Sequence, residues 1–303
     1  DQTLQYNITL NNTGSALTVS PDGRWVAVGT EQGELWVFDL TDSSQEISQP
    51  ITPNNAIYAL AFAPNSNQLF IGYMDGTVQC SAIVPDQIPS LTGGCTISTQ
   101  SGEPITVSQI KQPGAGIHRL VVQEKALIAT DTEGVLWQWA NGDLTQTPIR
   151  QRDPSGAITA MTVDPDSNWV VTGDKHGSLR FWPLTAAHTP FVVHGHEDEV
   201  LALAFSPNGD WMVSSGADSD GNGSVRLWRA RSPEHEPQTF RLGKNQDHIA
   251  SSSTLLAASG QDKVLVWQQN ALEKKPLELQ PIDDTAQTYD NRLRLIETND
   301  SSR

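Results

Sequence analysis

One segment of the chain has the residue types and spacing of the start of a calcium-binding loop. The run DSDGNG that begins at Asp218 fits the pattern D-x-D-x-N-G, in which Asp218, Asp220 and Asn222 would present oxygen atoms to a hard cation. The ninth and twelfth loop positions, where an acidic ligand would close such a site, hold Arg226 and Arg229. Two interpretations therefore remain open, a calcium site and a turn-rich hairpin extension, and the hairpin extension is the default.

A second set of metal-ligand residue types surrounds His196. His194, Glu197 and Asp198 all lie within two residues of it, and histidine and carboxylate side chains are common zinc ligands. The sequence contains no Gly-rich phosphate loop, no nucleophile elbow of the G-x-S-x-G type and no CxxC pair. We therefore expect a protein that is not an enzyme, with no catalytic residue, cofactor or metal ligand.

The two cysteines, Cys80 and Cys95, permit one disulfide bond. They could face each other across a hairpin between two strands, where the Cβ spacing of paired strands suits a bridge. Two cysteines in 303 residues are also ordinary for a reduced cytosolic protein. A bridge would indicate an exported protein, whereas free thiols fit the cytoplasmic location that we expect.

These residues lie in a chain that repeats itself. Pro21 and Pro64 are 43 residues apart, and so are Gly134 and Gly177. The repeat is clearest at residues 16–40, 158–184 and 200–228. A period of about 40 to 45 residues with several short strands in each copy is typical of a β-propeller. The sequence therefore predicts an all-β fold, a β-propeller of four-stranded antiparallel blades.

Each repeat predicts the strands of one blade. It opens with an apolar run such as Val200–Phe205, which is typical of a strand buried on both faces. A turn such as Ser20–Gly23 follows, in which Pro fixes φ and Gly accepts a positive φ. A second strand then leads through a polar turn to a third strand, and the fourth strand is the least marked, as expected of a solvent-facing edge. The third strands end at Phe38, Ser81, Trp139, Trp182, Trp228 and Trp267.

The repeat resembles the WD repeats, and its S-P-D-G-R-W motif is most similar to bacterial members of that family. The family pattern runs from a Gly-His pair to a terminal Trp-Asp, and the fifth repeat comes closest, with Gly-His ending at His196 and with Trp228 at its end. In the family, the His hydrogen-bonds with a Ser or Thr of the second strand, an Asp of the following turn and the Trp. The resemblance therefore implies a structural tetrad of His196, Ser214 or Ser215, Asp218 and Trp228.

The family pattern decays in the other repeats. The fourth keeps Thr172 and Trp182 but has His176 where Asp is usual, and the sixth keeps Asp262 and Trp267. The resemblance covers residues 12 to 270, and it implies a fold rather than an activity.

Six repeats can be aligned, and the chain length predicts a seventh blade. The repeats span about 12–40, 57–83, 117–140, 158–184, 196–230 and 248–269, in a single β-propeller domain over 1–303. We expect the seventh blade to be incomplete, with an outer strand from residues 1–10 and a strand from 290–303.

The strand expected near the end of the chain is Arg292–Glu297, and two interpretations of it remain open. It is either the innermost strand of the seventh blade, which we favour because it follows Trp267 too closely for three strands, or a third strand after degenerate ones. Residues 81–116 carry an insertion. The incomplete blade and the absence of an initiator Met suggest a segment of a longer polypeptide.

Charge limits the partners of the chain. With 35 acidic and 19 basic residues, its net charge is −16, which opposes binding to nucleic acid or to an anionic membrane surface. The sequence also has no apolar run of 18 residues. We therefore expect neither nucleic acid nor membrane among the partners.

The leading functional hypothesis is a non-catalytic scaffold or sensing module that binds protein or peptide partners through the propeller faces. The resemblance implies a place in a larger multidomain protein, with a covalently linked effector domain. The alternative is an exported propeller enzyme or a ligand- or metal-binding propeller, and a fixed structural subunit is a third. The side chains that would serve the alternative are Gln32, Asp75, Glu133, His176, Asp218 and Asp262.

Overall fold

The structure is a computed structural model of the chain. It describes residues 12–41, 55–83 except 66, 95–98, 104–111 except 108, 115–140 except 124 and 125, 143–184 except 145 and 167, 189–243 except 220, 248–251, 255–259, 263–281 except 269, 270 and 273, and 293–296. The chain divides into two compact units, Asp1–Gly156 and Ala157–Arg303. Each is described by itself, as the N-terminal and the C-terminal unit.

The N-terminal unit contains antiparallel sheets whose strands follow one another along the chain. The first sheet holds β1 (Gly14–Val19), β2 (Trp25–Thr30) and β3 (Leu35–Asp39). The second holds β4 (Ile57–Phe62), β5 (Gln68–Tyr73), β6 (Thr77–Ala82) and β9 (Gln109–Lys111). A ribbon of β7 (Cys95–Ser98) and β8 (Pro104–Val107) is inserted between β6 and β9. The third sheet holds β10 (Ile117–Gln123), β11 (Ala126–Asp131), β12 (Val135–Ala140) and β13 (Ile149–Arg152).

The C-terminal unit continues the same pattern. Its fourth sheet holds β14 (Ile158–Val163), β15 (Trp169–Asp174), β16 (Ser178–Pro183) and β17 (Phe191–His194). The fifth holds β18 (Val200–Phe205), β19 (Trp211–Ala217), β20 (Gly223–Arg229) and β21 (Gln238–Gly243). The sixth holds β22 (His248–Ser251), β23 (Leu255–Ser259), β24 (Val264–Gln268), β25 (Leu277–Pro281) and β26 (Leu293–Ile296). The fold class is therefore all-β, with antiparallel blades of the kind that build β-propellers.

The turns confirm the predicted roles of glycine. Gly23 and Gly209, which end the Ser-Pro-Asx-Gly turns, have φ of 72° and 69°. The hairpins between second and third strands place Gly134 and Gly177 at φ of 77° and 81°. Only glycine adopts this left-handed region without strain, so these positions hold the 43-residue repeat in register.

A bulge recurs at the same place in the first strand of the first five sheets. In the fourth sheet the bulged residue is Thr159, whose hydroxyl donates to the carbonyl of Gly173 at 3.1 Å and to that of Val200 at 2.6 Å. Ser15 makes the same pair of bonds in the first sheet, to Gly29 and Ile57. The bulge therefore aims a hydroxyl at the neighbouring blade and fastens the two sheets together.

The core lies between neighbouring sheets. In the N-terminal unit one apolar cluster joins the first and second sheets, and another joins the second and third. In the C-terminal unit one cluster joins the fourth and fifth sheets, and another joins the fifth and sixth. The expectation of first strands buried on both faces, made for Val200–Phe205, holds for β4 but is wrong for β18, where only Val200 is fully buried, and for β1. Leu17 and Val19 of β1 are 69% and 51% exposed.

Two segments lie differently from the expected arrangement. The insertion between residues 81 and 116 is not a bare loop, because it forms the β7–β8 ribbon before the fourth strand of its blade. The strand expected to begin a seventh blade is β26, which pairs antiparallel with β25 as the outermost strand of the sixth sheet. Backbone pairing with an open sheet edge satisfies its N–H and C=O groups at once. The outer strand expected in residues 1–10 lies outside the described residues, and the seven-blade count stays a prediction.

Candidate functional site

A buried chain of hydrogen bonds connects the polar residues of the fifth repeat. The indole Nε1 of Trp228 donates to Ser214 Oγ at 2.8 Å, and Ser214 Oγ lies 2.7 Å from His196 Nε2. On the other side of the ring, His196 Nδ1 lies 3.1 Å from Ser224 Oγ, which donates to Asp218 Oδ1 at 3.1 Å. The structure thus brings Trp228, Ser214 and His196 into direct contact, and Asp218 joins them through Ser224.

The alternation of strand side chains explains why these residues meet. Ser224 and Trp228 lie on β20 an even number of residues apart and therefore share a face. Ser214 lies on the adjacent strand β19, two residues beyond Met212, which pairs with Trp228. Gly216 completes the site, because a Cβ atom there would lie 2.4 Å from Cγ of the His196 ring. Sequence reasoning missed Ser224, although its even spacing from Trp228 was a usable signal.

The network accounts for the donors and acceptors of the imidazole. Burial, with smaller contributions from Arg226 and His194, lowers the pKa of His196 to about 3, so the ring is neutral. Ser214 accepts the indole N–H, which leaves its own hydrogen for Nε2 of the ring. The remaining ring proton then sits on Nδ1 and is donated to Ser224, whose hydroxyl hydrogen goes to Asp218.

The arrangement contains serine, histidine and aspartate, yet it is not built for nucleophilic chemistry. His196, Ser214 and Ser224 are all fully buried, so no substrate can approach the serine oxygen without opening the blade. The one hydroxyl hydrogen of Ser214 is also already donated, to His196 Nε2. The network connects strands β19 and β20 and holds both in register with the start of the repeat at His196.

Of the predicted alternatives for the serine of the tetrad, the structure selects Ser214. The neighbouring Ser215 is equally buried, but its Oγ has no hydrogen-bond partner among the described residues. Successive residues of a strand point to opposite faces, so only one of the two can reach the indole and the imidazole.

Asp218, the first residue of the calcium-like run, faces a cation of the chain itself. Its Oδ1 lies 3.9 Å from Nη2 of Arg226 and accepts the hydrogen bond of Ser224. Asp220 lies outside the described residues. Within the described ranges, no group of three or more His, Cys, Asp or Glu side chains is arranged to hold a metal ion. Asp218 thus has two partners of its own before any cation binds.

The fourth and third repeats contain parts of the same hydrogen-bond network. In the fourth, Trp182 Nε1 donates to Thr172 Oγ1 at 2.9 Å, which joins the two residues that the resemblance had paired. In the third, Trp137 Nε1 donates instead to Asp131 Oδ2 at 3.0 Å. In the fourth and fifth repeats, the hydroxyl position therefore links the second and third strands.

Two tryptophans lack this joint. Among the described side chains, Trp139 Nε1 and Trp267 Nε1 are buried without a hydrogen-bond partner. The pairing of β11 with β12 places Ala129 where Thr172 lies in the fourth repeat, and that of β23 with β24 places Ala258 there. An alanine cannot accept the indole hydrogen bond, so both indoles stay unsatisfied.

The side chains that would serve an enzyme are spread over separate hairpins. Glu133 and His176 are exposed in the turns of their own repeats. The acids that organise these turns lie two residues earlier, since Asp131 Oδ1 accepts the N–H of Glu133 and Asp174 Oδ1 accepts that of His176. Asp75 accepts the N–H of Thr77 in the same manner. Gln32 is exposed in its turn, and Asp262 lies outside the described residues.

Cys80 on β6 is disulfide-bonded, and no free cysteine lies in the part of the chain that the structure describes. The chain contains one other cysteine, Cys95, at the start of β7. The bridge was one of the two alternatives left open by the sequence.

The blades and their buried His-Ser-Trp joint define the chain as a repeat protein of the propeller class. The family model of the WD domain, G-beta repeat, matches residues 46–80, 146–183 and 188–229. Three segments of the chain are therefore similar to WD repeats. The last matched segment includes His196, Ser214, Ser224 and Trp228, the centre of the network.

Three relatives illustrate the similarity. Protein groucho of Drosophila melanogaster is 26% identical over 213 residues, which cover 69% of this chain and 26% of groucho. Transcription factor unc-37 of Caenorhabditis elegans is 22% identical over 252 residues, or 81% of this chain and 37% of unc-37. DDB1- and CUL4-associated factor 13 of Dictyostelium discoideum is 33% identical over 119 residues, or 36% of this chain and 26% of that factor.

The chain spans between about a quarter and just over a third of the length of these relatives. All three come from eukaryotes, which does not support the expected bacterial type. In the described part of the chain, no helix has both the length and the apolar character needed to cross a membrane.

Proposed function

We propose that this chain is a non-catalytic interaction module that binds protein or peptide partners through the exposed turns and strand edges of its blades. The observation that carries the proposal is that the chemically reactive residue types of the chain form hydrogen bonds within the chain itself. His196, Ser214 and Ser224 are buried and bonded to one another, and Asp131 and Asp174 cap turns. The rigid strands are thus stabilised from within, and the turns are left to make contacts.

The similar proteins support the same class of function, that of an interaction module. One relative is named as a factor associated with DDB1 and CUL4, and another as a transcription factor. Both names describe action together with other macromolecules. The net charge of −16 disfavours direct contact with nucleic acid phosphates, so protein partners are the better match for this chain.

We further propose that the module acts within a longer polypeptide, beside an effector domain, as the WD resemblance implies. The relatives support this because the matched segments are minor parts of their length. The cytoplasmic location stays a prediction. Disulfides persist in oxidising compartments and are rare in the cytosol, so the bond at Cys80 favours export, and the thiol state of Cys80 in cells decides between the two.

The test of the interaction module is a binding screen paired with a turnover screen. The purified chain is applied to arrays of overlapping peptides of varied composition, and hits are measured in solution by fluorescence anisotropy at physiological salt. We expect saturable binding of a subset of peptides, and no hydrolysis of chromogenic ester, phosphate or glycoside substrates with or without divalent metal ions. Absence of saturable binding, or turnover that tracks the purified chain, would overturn the proposal.

A further inference from the structure

The fourth strand of the fourth sheet, β17, has one side on which the structure places no other strand. β17 pairs with β16 over four residues, and in the described part of the chain no strand pairs with its other side. Every second residue of such an edge strand directs its N–H and C=O groups away from the sheet. A further strand can therefore join the sheet there through main-chain hydrogen bonds. We call this side of the strand the β17 edge.

The residues of β17 differ from those of the other fourth strands. The strand pairings align the fourth strands of the second to sixth sheets residue by residue. At the position of Val192, the other sheets have the polar residues Gln109, Arg150, Thr239 and Glu278. At the position of His194, the second, third and fifth sheets have the cations Lys111, Arg152 and Arg241. Charged residues and proline protect edge strands against further pairing, and β17, with the sequence FVVH, contains no Lys, Arg, Asp, Glu or Pro.

The side chains of β17 offer apolar contacts on both faces of the sheet. Val192 is 46% exposed. Phe191 and Val193 point to the opposite face, where they pack against the apolar cluster of the fourth and fifth sheets. The ring centroid of Phe191 lies 4.5 Å from that of Phe181 and 5.4 Å from that of Trp169. An added strand would lay alternate side chains beside Phe191 and Val193, so apolar residues at alternate positions suit this edge.

The β17 edge is fixed in position before any partner binds. The four residue pairs with β16 hold the strand along its length. Directly after it, the N–H groups of Gly195 and His196 both donate to the carbonyl of Gly177 at 2.8 Å. His196 is in turn buried in the hydrogen-bond network of the fifth repeat. A preformed edge loses little conformational entropy on binding, so that less of the interaction free energy is lost to ordering.

The sixth sheet indicates what kind of segment such an edge accepts. Its fourth strand, β25, already pairs antiparallel with a fifth strand, β26. β26 has the sequence LRLI and follows Arg292, so this segment combines apolar with basic residues. The net charge of −16 attracts basic segments, and it opposes the pairing of two copies of the chain through one edge.

We propose that the β17 edge binds an extended segment of a partner protein, in which apolar and basic residues alternate, as a fifth and antiparallel strand of the fourth sheet. Its β-branched or aromatic side chains lie beside Phe191 and Val193. Its lysine or arginine side chains lie on the other face, with their aliphatic stems along Val192 and their charges in water. The inference rests on the proposed function, and it names the edge and the chemistry of the partner.

The test uses the peptide Ac-Lys-Val-Lys-Val-Lys-Val-amide as the probe. One comparator has every backbone nitrogen methylated, which keeps charge and composition but prevents strand pairing, and the other has glutamate in place of lysine. Binding to the full chain is followed by the NMR shifts and hydrogen-exchange rates of the amides of residues 191–194. We expect the probe to slow exchange at the amides that point away from β16, and both comparators to bind about tenfold more weakly.

Val192→Arg and His194→Arg install the residues that the third sheet already has, Arg150 and Arg152, so the fold is retained while the edge gains a cation. Each should weaken the probe by about fivefold. Thr239→Arg is the matched control, because Thr239 holds the position of Val192 in the fifth sheet and is likewise exposed and paired with an arginine. It should leave probe binding unchanged. Equal affinity in Val192→Arg and Thr239→Arg, or equal binding of the probe and its methylated version, would overturn the inference.

Other occupants of the β17 edge are detected by the same measurement. If a second copy of the chain fills the edge, exchange at the amides that point away from β16 slows as the chain concentration rises, without any probe. If another segment of the same chain fills it, these amides exchange slowly at every concentration. Either result would overturn the inference, because the edge would then not be open to a partner.

The outcome is separable from that of the proposed function. If array peptides bind and neither Val192→Arg nor His194→Arg changes their affinity, the interaction module stands and the β17 edge falls. If no array peptide binds, the module fails on its own test. Loss in these variants of only those hits that alternate basic and apolar residues supports both.

Discussion

Ser214→Ala and Ser215→Ala make the same chemical change at adjacent buried positions, and the structure predicts opposite consequences. Ser214 Oγ accepts the Trp228 indole N–H at 2.8 Å and lies 2.7 Å from His196 Nε2. Ser215 Oγ is buried and has no hydrogen-bond partner in the described ranges of the chain. We expect the first substitution to destabilise the folded chain strongly, and the second to be neutral or slightly stabilising.

The loss of unfolding free energy follows from the polar groups that lose their hydrogen-bond partner. Ser214→Ala removes no methylene and creates no sizeable cavity, so its effect comes from two buried polar atoms, Trp228 Nε1 and His196 Nε2. Each buried group left unsatisfied costs about 1 to 3 kcal/mol, so the variant should lose about 2 to 6 kcal/mol of unfolding free energy. Ser215→Ala removes a hydroxyl that has no partner, and its effect should stay within about 1 kcal/mol.

The assay is urea unfolding followed by tryptophan fluorescence and circular dichroism. A lower midpoint with an unchanged m-value would show that stability changed rather than the folded state. Ser214→Thr provides a rescue, because Thr172 performs the same role in the fourth repeat. If Ser214→Ala and Ser215→Ala unfold at the same midpoint, the hydrogen-bond network does not stabilise the blade and the reasoning fails.

Three further predictions rest on the same structure. Ala258→Ser should stabilise the sixth blade by about 1 kcal/mol by giving Trp267 Nε1 an acceptor, and a urea midpoint at or below that of the parent chain would contradict it. Stability should fall as the pH falls from 6.5 towards 3, because burial lowers the pKa of His196 from 6.5 to about 3 and only the unfolded state takes up the proton in that window. His196→Asn should flatten this dependence, and parallel curves of urea midpoint against pH would count against it. Cys80→Ser should lower the unfolding free energy by about 2 to 4 kcal/mol, and an unmodified parent chain that reacts with a thiol reagent after denaturation would refute the bond at Cys80.

The sequence alone determined the blade pattern. Positive-φ glycines such as Gly23 and Gly177 lie where the repeat placed them, and the third strands contain the predicted aromatic positions. These features depend on local backbone geometry and on strand alternation, and such constraints act over a few residues. His196, Ser214 and Trp228 could likewise be named from the pattern of the fifth repeat.

Only the tertiary structure decided how these residues connect. Ser224 enters the network, Ala129 and Ala258 face unsatisfied indoles, and β26 joins the sixth sheet. A cavity lined by Asp164 and Gly209 likewise depends on two turns that are more than 40 residues apart. Hydrogen-bond partners and cavity walls come from different strands, so register and packing select them, and neither is set by the residues of one strand.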